Sequence, residues 1–429
     1  MRLLHTERTF LNMAGKYSSQ TVRLVAHMDG AVDEELLKEA VEATRQRYPY
    51  LCVRLCIVHD EQGAERYAYE DNPQPWVLTQ GEQQVALLGE ASNNHLIAFC
   101  WWDDCIALDF FYSLADGTSA YRVLRTLLYE YCRRRYDSSL SAEGIMVAGE
   151  TIDEGEYTDP ATLPRPEKFI PQPKMENSQT LNLYADALAP MRKDGKEAVH
   201  ICVSEERLMQ QIRSCGASPG SWLAVVLARV FSLLQPDGPT PTVSLAVNLR
   251  NGTGTPLAHQ PMVGAIFLPL RKEMLDWSLS EQVAEFRRMI ASKASPDHLQ
   301  EYYWNLQDQI DQLEQVPSSE MRHELLTKAH SMMRQAASFT VSYVGRAALG
   351  AADRYVREIR TEGNSPLALL VEVNAAGGRF CISFLQQFAT DIYLDAFLNE
   401  LSQMGIGYEI VARHPLAIAP ISDFHKFIQ

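Results

Sequence analysis

Apolar positions along the chain switch between a two-residue and a three-to-four-residue period, the pattern of a mixed α/β protein. Residues 21–28 read as a strand. Asp33 then caps a helix whose Leu36, Leu37, Ala40, Val41 and Thr44 share one face. Pro49 ends that helix, and residues 51–58 and 65–69 read as a hairpin across Asp60-Glu61-Gln62-Gly63. Two further apolar strands, 95–102 and 105–111, meet at Asp103-Asp104. The clearest helix follows Asp116-Gly117 and covers 118–136, with Ala120, Val123, Leu124, Leu127, Leu128 and Tyr131 forming one stripe.

The pattern then breaks. Residues 137–164 carry seven carboxylates and no Lys or Arg, and five prolines follow between 160 and 173. Such a stretch buries too little apolar surface to fold alone and reads as a long crossover. Beyond it the mixed pattern resumes with a strand at 198–203, helices near 205–213 and 218–234, and strands at 242–248 and 262–270. Helical segments run over 279–335, strands return at 338–344, 354–360, 367–375 and 379–386, and a last helix covers 391–403. The expected organisation is one lobe over 1–136, a crossover over 137–197 and a second lobe over 198–429.

Composition narrows the partners. The 429 residues are 46% hydrophobic and 22% charged, as in ordinary globular proteins. With 39 Lys+Arg against 54 Asp+Glu the net charge is -15, which argues against nucleic acid and anionic membrane surfaces. The eight cysteines show no CxxC spacing and read as reduced thiols acting as small hydrophobes. The first eight residues lack the apolar core of a signal peptide. The longest apolar run, 222–234, is broken by Arg229 and falls short of the ~20 residues that span a bilayer. The expectation is a cytoplasmic chain with no membrane insertion and no metal, since no metal cluster, phosphate loop or Ser-His-Asp arrangement stands out.

The run Asp109-Phe110-Phe111-Tyr112-Ser113-Leu114-Ala115-Asp116-Gly117 resembles the HHxxxDG signature of the CoA-dependent acyltransferase superfamily, with a strand before it and a helix after it. That superfamily includes chloramphenicol acetyltransferase, alcohol acetyltransferases and condensation domains. Ala246-Val247-Asn248-Leu249-Arg250, followed by Gly264, is similar to the family's VNLR…G element. Thr340-Val341-Ser342-Tyr343-Val344-Gly345-Arg346 is similar to the SNLG element of the alcohol acetyltransferase branch. Order and spacing agree over nearly the whole chain. The resemblance implies an α/β fold of two chloramphenicol-acetyltransferase-like lobes meeting in a V, with a tunnel between them. It also implies transfer of an acyl group from a CoA or carrier-protein thioester to an alcohol or amine. The partners it implies are a small-molecule donor and acceptor and an acyl carrier protein, with a CoA thioester as co-substrate and no permanent cofactor.

In that family the second His of the motif removes the acceptor's proton, an Arg braces the Asp, and the Ser-Asn element helps hold the oxyanion. Carried onto this chain, Asp116, Gly117, Asn248, Arg250, Gly264 and Gly345 are the scaffold, with Asp116 and Arg250 expected within ~4 Å. The two His positions are Phe111 and Tyr112, and Tyr343 stands where Asn is usual. Tyr112 and Ser342 are the catalytic candidates, and Phe111 and Tyr343 are candidates for lining the substrate site. An unperturbed phenol is ionised to only about one part in a thousand at pH 7. Losing a general base costs roughly 10²–10⁴ in rate. Among eleven His, His330 on the segment before Ser342 is the nearest stand-in. Tyr112 is expected to face the cleft, its hydroxyl bonded to Ser342 or water. A silent relative that binds a thioester, acyl ligand or carrier protein, and a condensation-type biosynthetic role, are the alternatives.

Overall fold

The computed structural model describes the chain apart from residues 1, 4, 6, 15–19, 60–64, 167–179, 317–318 and 417–429. Two sheets carry the architecture. The first has five strands in the order Val356–Glu362, Thr21–Met28, Cys105–Phe111, Ile97–Trp102 and Val77–Gln80, antiparallel except for the last pair. The helices Glu34–Arg47 and Gly117–Arg135 pack on one face of it. Asp33 accepts from the Leu36 amide and Asp116 from the Ser119 amide, so both helices begin on a side-chain cap. A small sheet of Arg2–Leu3, Glu65–Asp71 and Val53–His59 lies alongside, and the Asp60–Gly63 turn of its hairpin falls outside the described residues.

The second sheet has seven strands in the order Val263–Pro269, Thr242–Asn248, Phe339–Arg346, Leu369–Ala376, Arg379–Gln386, Glu197–Ser204 and Tyr408–Pro415. Phe339–Arg346 runs parallel to both of its neighbours. The apolar helix Pro219–Leu234 fills the second core, with Trp222 and Phe231 fully buried against Phe339, Phe384 and Phe397. All eight cysteines are free, six of them buried.

One strand departs from a division at residue 198. Val356–Glu362 belongs by sequence to the second half, yet it forms the edge of the first sheet, paired with Thr21–Met28. Its opposite side lies over the second sheet, where Thr361 accepts from Asn374 at 2.7 Å. The crossover contributes more than a tether: Glu156, buried within it, receives both Nη atoms of Arg47 at 2.7 and 3.0 Å and the Tyr50 hydroxyl at 2.6 Å. No single helix among the described residues is long and apolar enough to cross a membrane.

Candidate active site

The site begins where the Cys105–Phe111 strand ends. Phe111, a candidate for lining the substrate site, is fully buried and belongs to the first core. Tyr112 leaves the strand and is half-buried, its backbone N–H donating to the Gln20 carbonyl at 2.7 Å. Its ring lies 4.7 Å from that of Phe10, on the helix Arg8–Met13, and 6.3 Å from that of Phe110. The hydroxyl accepts from the backbone N–H of Gly117 rather than from Ser342, one of its two expected partners. Burial, reinforced by the charges of Asp116 and Glu372, holds the phenol well above its ordinary range. Burial thus favours the neutral phenol over the phenolate.

Four residues on, Asp116 is 3% exposed and Arg250 is 2% exposed, and they form a two-point ion pair at 2.7 and 3.0 Å. Every remaining donor of that guanidinium is used, by the Ala258 and Gln260 carbonyls at 2.9 Å, Ser119 Oγ at 3.0 Å and Asn248 Oδ1 at 3.2 Å. Asp116 also accepts from the Met262 amide at 2.9 Å and the Ser119 amide at 3.1 Å. A buried pair is tolerable only when its lone pairs and protons are satisfied in this way. Gly264 backs the brace: a Cβ there would stand 2.8 Å from Tyr302 Cε1 and 3.0 Å from Leu249 Cδ2. The long helix reinforces the junction, Arg122 donating to the Leu257 and Pro256 carbonyls at 2.6 and 2.7 Å.

The opposing wall is the face of the second sheet turned away from its core. Val344 reaches the motif, its Cγ2 3.0 Å from where a Gly117 Cβ would lie. Two residues back on the same strand, Ser342 is paired in register with Glu372, Glu372 with Ser383, and Ser383 with His200. Alternation puts these four side chains in one polar row, while Val371 and Val373 turn into the core. The row faces the first sheet's helices, because Asn374, two residues beyond Glu372, receives the Tyr121 hydroxyl of the Gly117–Arg135 helix. At its far end His200 Nδ1 lies 2.8 Å from Ser383 Oγ, and Glu362 sits 3.5 Å from His200 Nε2 and 3.0 Å from His414 Nε2.

Ser342 donates to the Glu372 carboxylate. Burial pushes that carboxyl up to about 7 from an ordinary 4.5, the Ser342 bond pulling the other way. Glu372 is the residue that sequence reasoning missed, although a single acid within 367–375 is a readable signal. Tyr343, a candidate for lining the substrate site, is partly buried, its ring 6.0 Å from Phe380 against the second core. Gly345, with φ +113°, sits in the register break between Tyr343 and Arg346, a conformation that favours glycine. The side chain of His330, the expected stand-in base, lies outside the described residues. Two surface cavities, of about 740 Å³ beside Leu181 and about 640 Å³ beside Tyr50, are lined by neither Tyr112 nor Ser342.

The chain has a two-lobed α/β fold that it shares with the solved structures that follow. TRI101 of F. sporotrichioides, solved with coenzyme A and T-2, superposes with a TM-score of 0.58 at 12% identity, covering 95% of this chain and 99% of that one. Polyketide synthase associated protein 5 of Mycobacterium tuberculosis gives 0.60 at 13% identity, covering 93% and 96%. The condensation domain of the Monacolin K polyketide synthase MokA gives 0.56 at 11% identity, covering 94% and 96%. No family model and no curated protein matches the sequence.

Proposed function

We propose that this protein transfers an acyl group from a coenzyme A or carrier-protein thioester to an alcohol or amine. The reaction would take place between the Tyr112–Gly117 turn and the Ser342–Glu372 wall. The observation that carries the reading is the Asp116–Arg250 brace, whose paired and hydrogen-bonded atoms hold the motif turn against the second lobe. Similar folds have been solved with coenzyme A, as in F. sporotrichioides TRI101, and as condensation domains, which supports a thioester as co-substrate. Ser342 would help position the thioester carbonyl or its oxyanion. Asn248, Arg250, Gly264 and Gly345 would maintain the scaffold.

A second reading is favoured by one observation, the neutral Tyr112 at the position the resemblance assigns to the base. On that reading the protein binds a thioester, acyl ligand or carrier protein without turning it over. Release of free CoA from acetyl-CoA, followed by thiol titration over a panel of alcohols and amines, separates the two. Acceptor-dependent release supports transfer. Calorimetric binding of acetyl-CoA with no release, with water or any acceptor, supports the silent reading.

A further inference from the structure

We propose that the Glu372 carboxylate is the general base of this site, taking the proton of a hydroxyl acceptor as its oxygen attacks the thioester carbonyl. The inference rests on the acyl-transfer reading above and supplies the proton acceptor which that reading lacks.

Placement comes first. Glu372 lies beside Ser342 in the strand register, and its charge bears on the Tyr112 phenol. Its strand is tied to the helix that Asp116 caps, through Asn374 and Tyr121. The base is thus supplied from the second lobe, across from the motif position now filled by Tyr112.

The surroundings come second. The groups around Glu372 are Ser342 on its own wall, Ser383 in register from Arg379–Gln386, and Tyr112 and Tyr121 from the first lobe, with Cys381 and Thr361 against Asn374 two residues on. All of these are neutral hydroxyls apart from Cys381, whose thiol is drawn down to about 6 by Cys202 and His200. Arg250 is fully committed to Asp116 and its neighbours. His200, at the far end of the row, faces Glu362 at 3.5 Å, and among the described residues no cation forms an ion pair with Glu372, so it is free to exchange a proton. Its elevation to about 7 places that exchange near the pH where a base works best.

The step balances without a cofactor. The acceptor oxygen forms a bond to the carbonyl carbon while its proton moves to Glu372. The tetrahedral adduct collapses, the C–S bond breaks, and Glu372 returns the proton to the departing CoA sulfur. An amine attacks with its own lone pair and sheds its proton afterwards, so a hydroxyl acceptor gains most from a base held at this point.

The test uses the full chain, acetyl-CoA and thiol titration, with water and a panel of primary alcohols and amines as acceptors, in wild type, E372Q, E372D and S342A. Unchanged circular dichroism and a cooperative melting transition show that each variant is folded. We expect E372Q to lower kcat/KM for alcohols by about 10²–10³-fold, with a smaller loss for amines and partial recovery in E372D. The wild-type profile should rise with pH through about 7. That limb should vanish in E372Q and move to higher pH in S342A, which removes a donor to the carboxylate. A folded E372Q with wild-type rates and an unchanged pH limb overturns the inference while leaving acyl transfer standing. A wild type that releases no CoA, even to water, overturns the acyl-transfer reading and this inference together.

Discussion

Asp116 and Glu372 both bear on the Tyr112 phenol, and their surroundings assign them opposite work. Asp116 is buried and receives four hydrogen bonds or ion-pair contacts from Arg250, Ser119 and Met262. Its charge is compensated and held in place. Among the described residues Glu372 has Ser342 as its hydrogen-bond partner and no guanidinium against it, so burial favours its neutral form. Two carboxyl groups a short way apart thus differ because one is given charge partners and the other is only desolvated. A paired acid braces; an unpaired one titrates.

The strongest way to break this contrast is R250A. It strands the Asp116 carboxylate in a buried site and should cost about 3–5 kcal/mol in urea unfolding. The double replacement D116L/R250M should cost less than R250A alone. A loss below ~1 kcal/mol for R250A would mean that the pair carries little of the lobe junction.

E372Q sharpens the contrast from the other side. Folding raises the Glu372 pKa from 4.5 to about 7, so wild-type stability should fall as pH rises through that window. E372Q should therefore melt with the wild type at pH 4 and above it at pH 8. The difference is at most ~3 kcal/mol, reduced by the partial exposure of the side chain. Parallel melting curves at both pH values would refute the elevated pKa.

G264A probes the backing of the brace. Its Cβ would press on Tyr302 and Leu249, and overpacking of this kind costs about 1–3 kcal/mol, read as a lower denaturant midpoint with an unchanged slope. Y112F should have the smallest effect. Losing the hydroxyl that accepts from Gly117 should cost ~1 kcal/mol, and any thiol release should stay within a few-fold of wild type. Abolished release in a folded Y112F would return the proton-transfer role to the tyrosine.

The regular elements were legible because their patterns are strong. The stripe from Ala120 to Tyr131 appears as Gly117–Arg135, and the expected 105–111 strand ends where it was read to end. The three motif elements could be read together because Asp-Gly, Asn-Leu-Arg and the strand carrying Ser342 each have a backbone reason to stay in place. Face and partner were harder to read. The alternation over 356–362 looks the same whichever sheet it joins, so its pairing with Thr21–Met28 could not be seen. Tyr343 reads as a site residue by its position in the motif, which does not display its ring's place beside Phe380 against the second core. Glu372 lies outside every motif element, and its chemistry comes from what surrounds it, which a linear pattern does not display.

The placement of Val356–Glu362 also has a mechanical consequence. Because the second half lends the first sheet its edge, the halves are laced together by backbone hydrogen bonds as well as by packed side chains. A chain split within the crossover would leave the Thr21–Met28 strand with an unpaired edge, a ready template for association with other copies. Co-expressed fragments should therefore be recovered as one complex rather than as two separate lobes. The lacing also restrains sliding between the walls that carry Tyr112 and Glu372, since such motion would have to unzip that strand pairing.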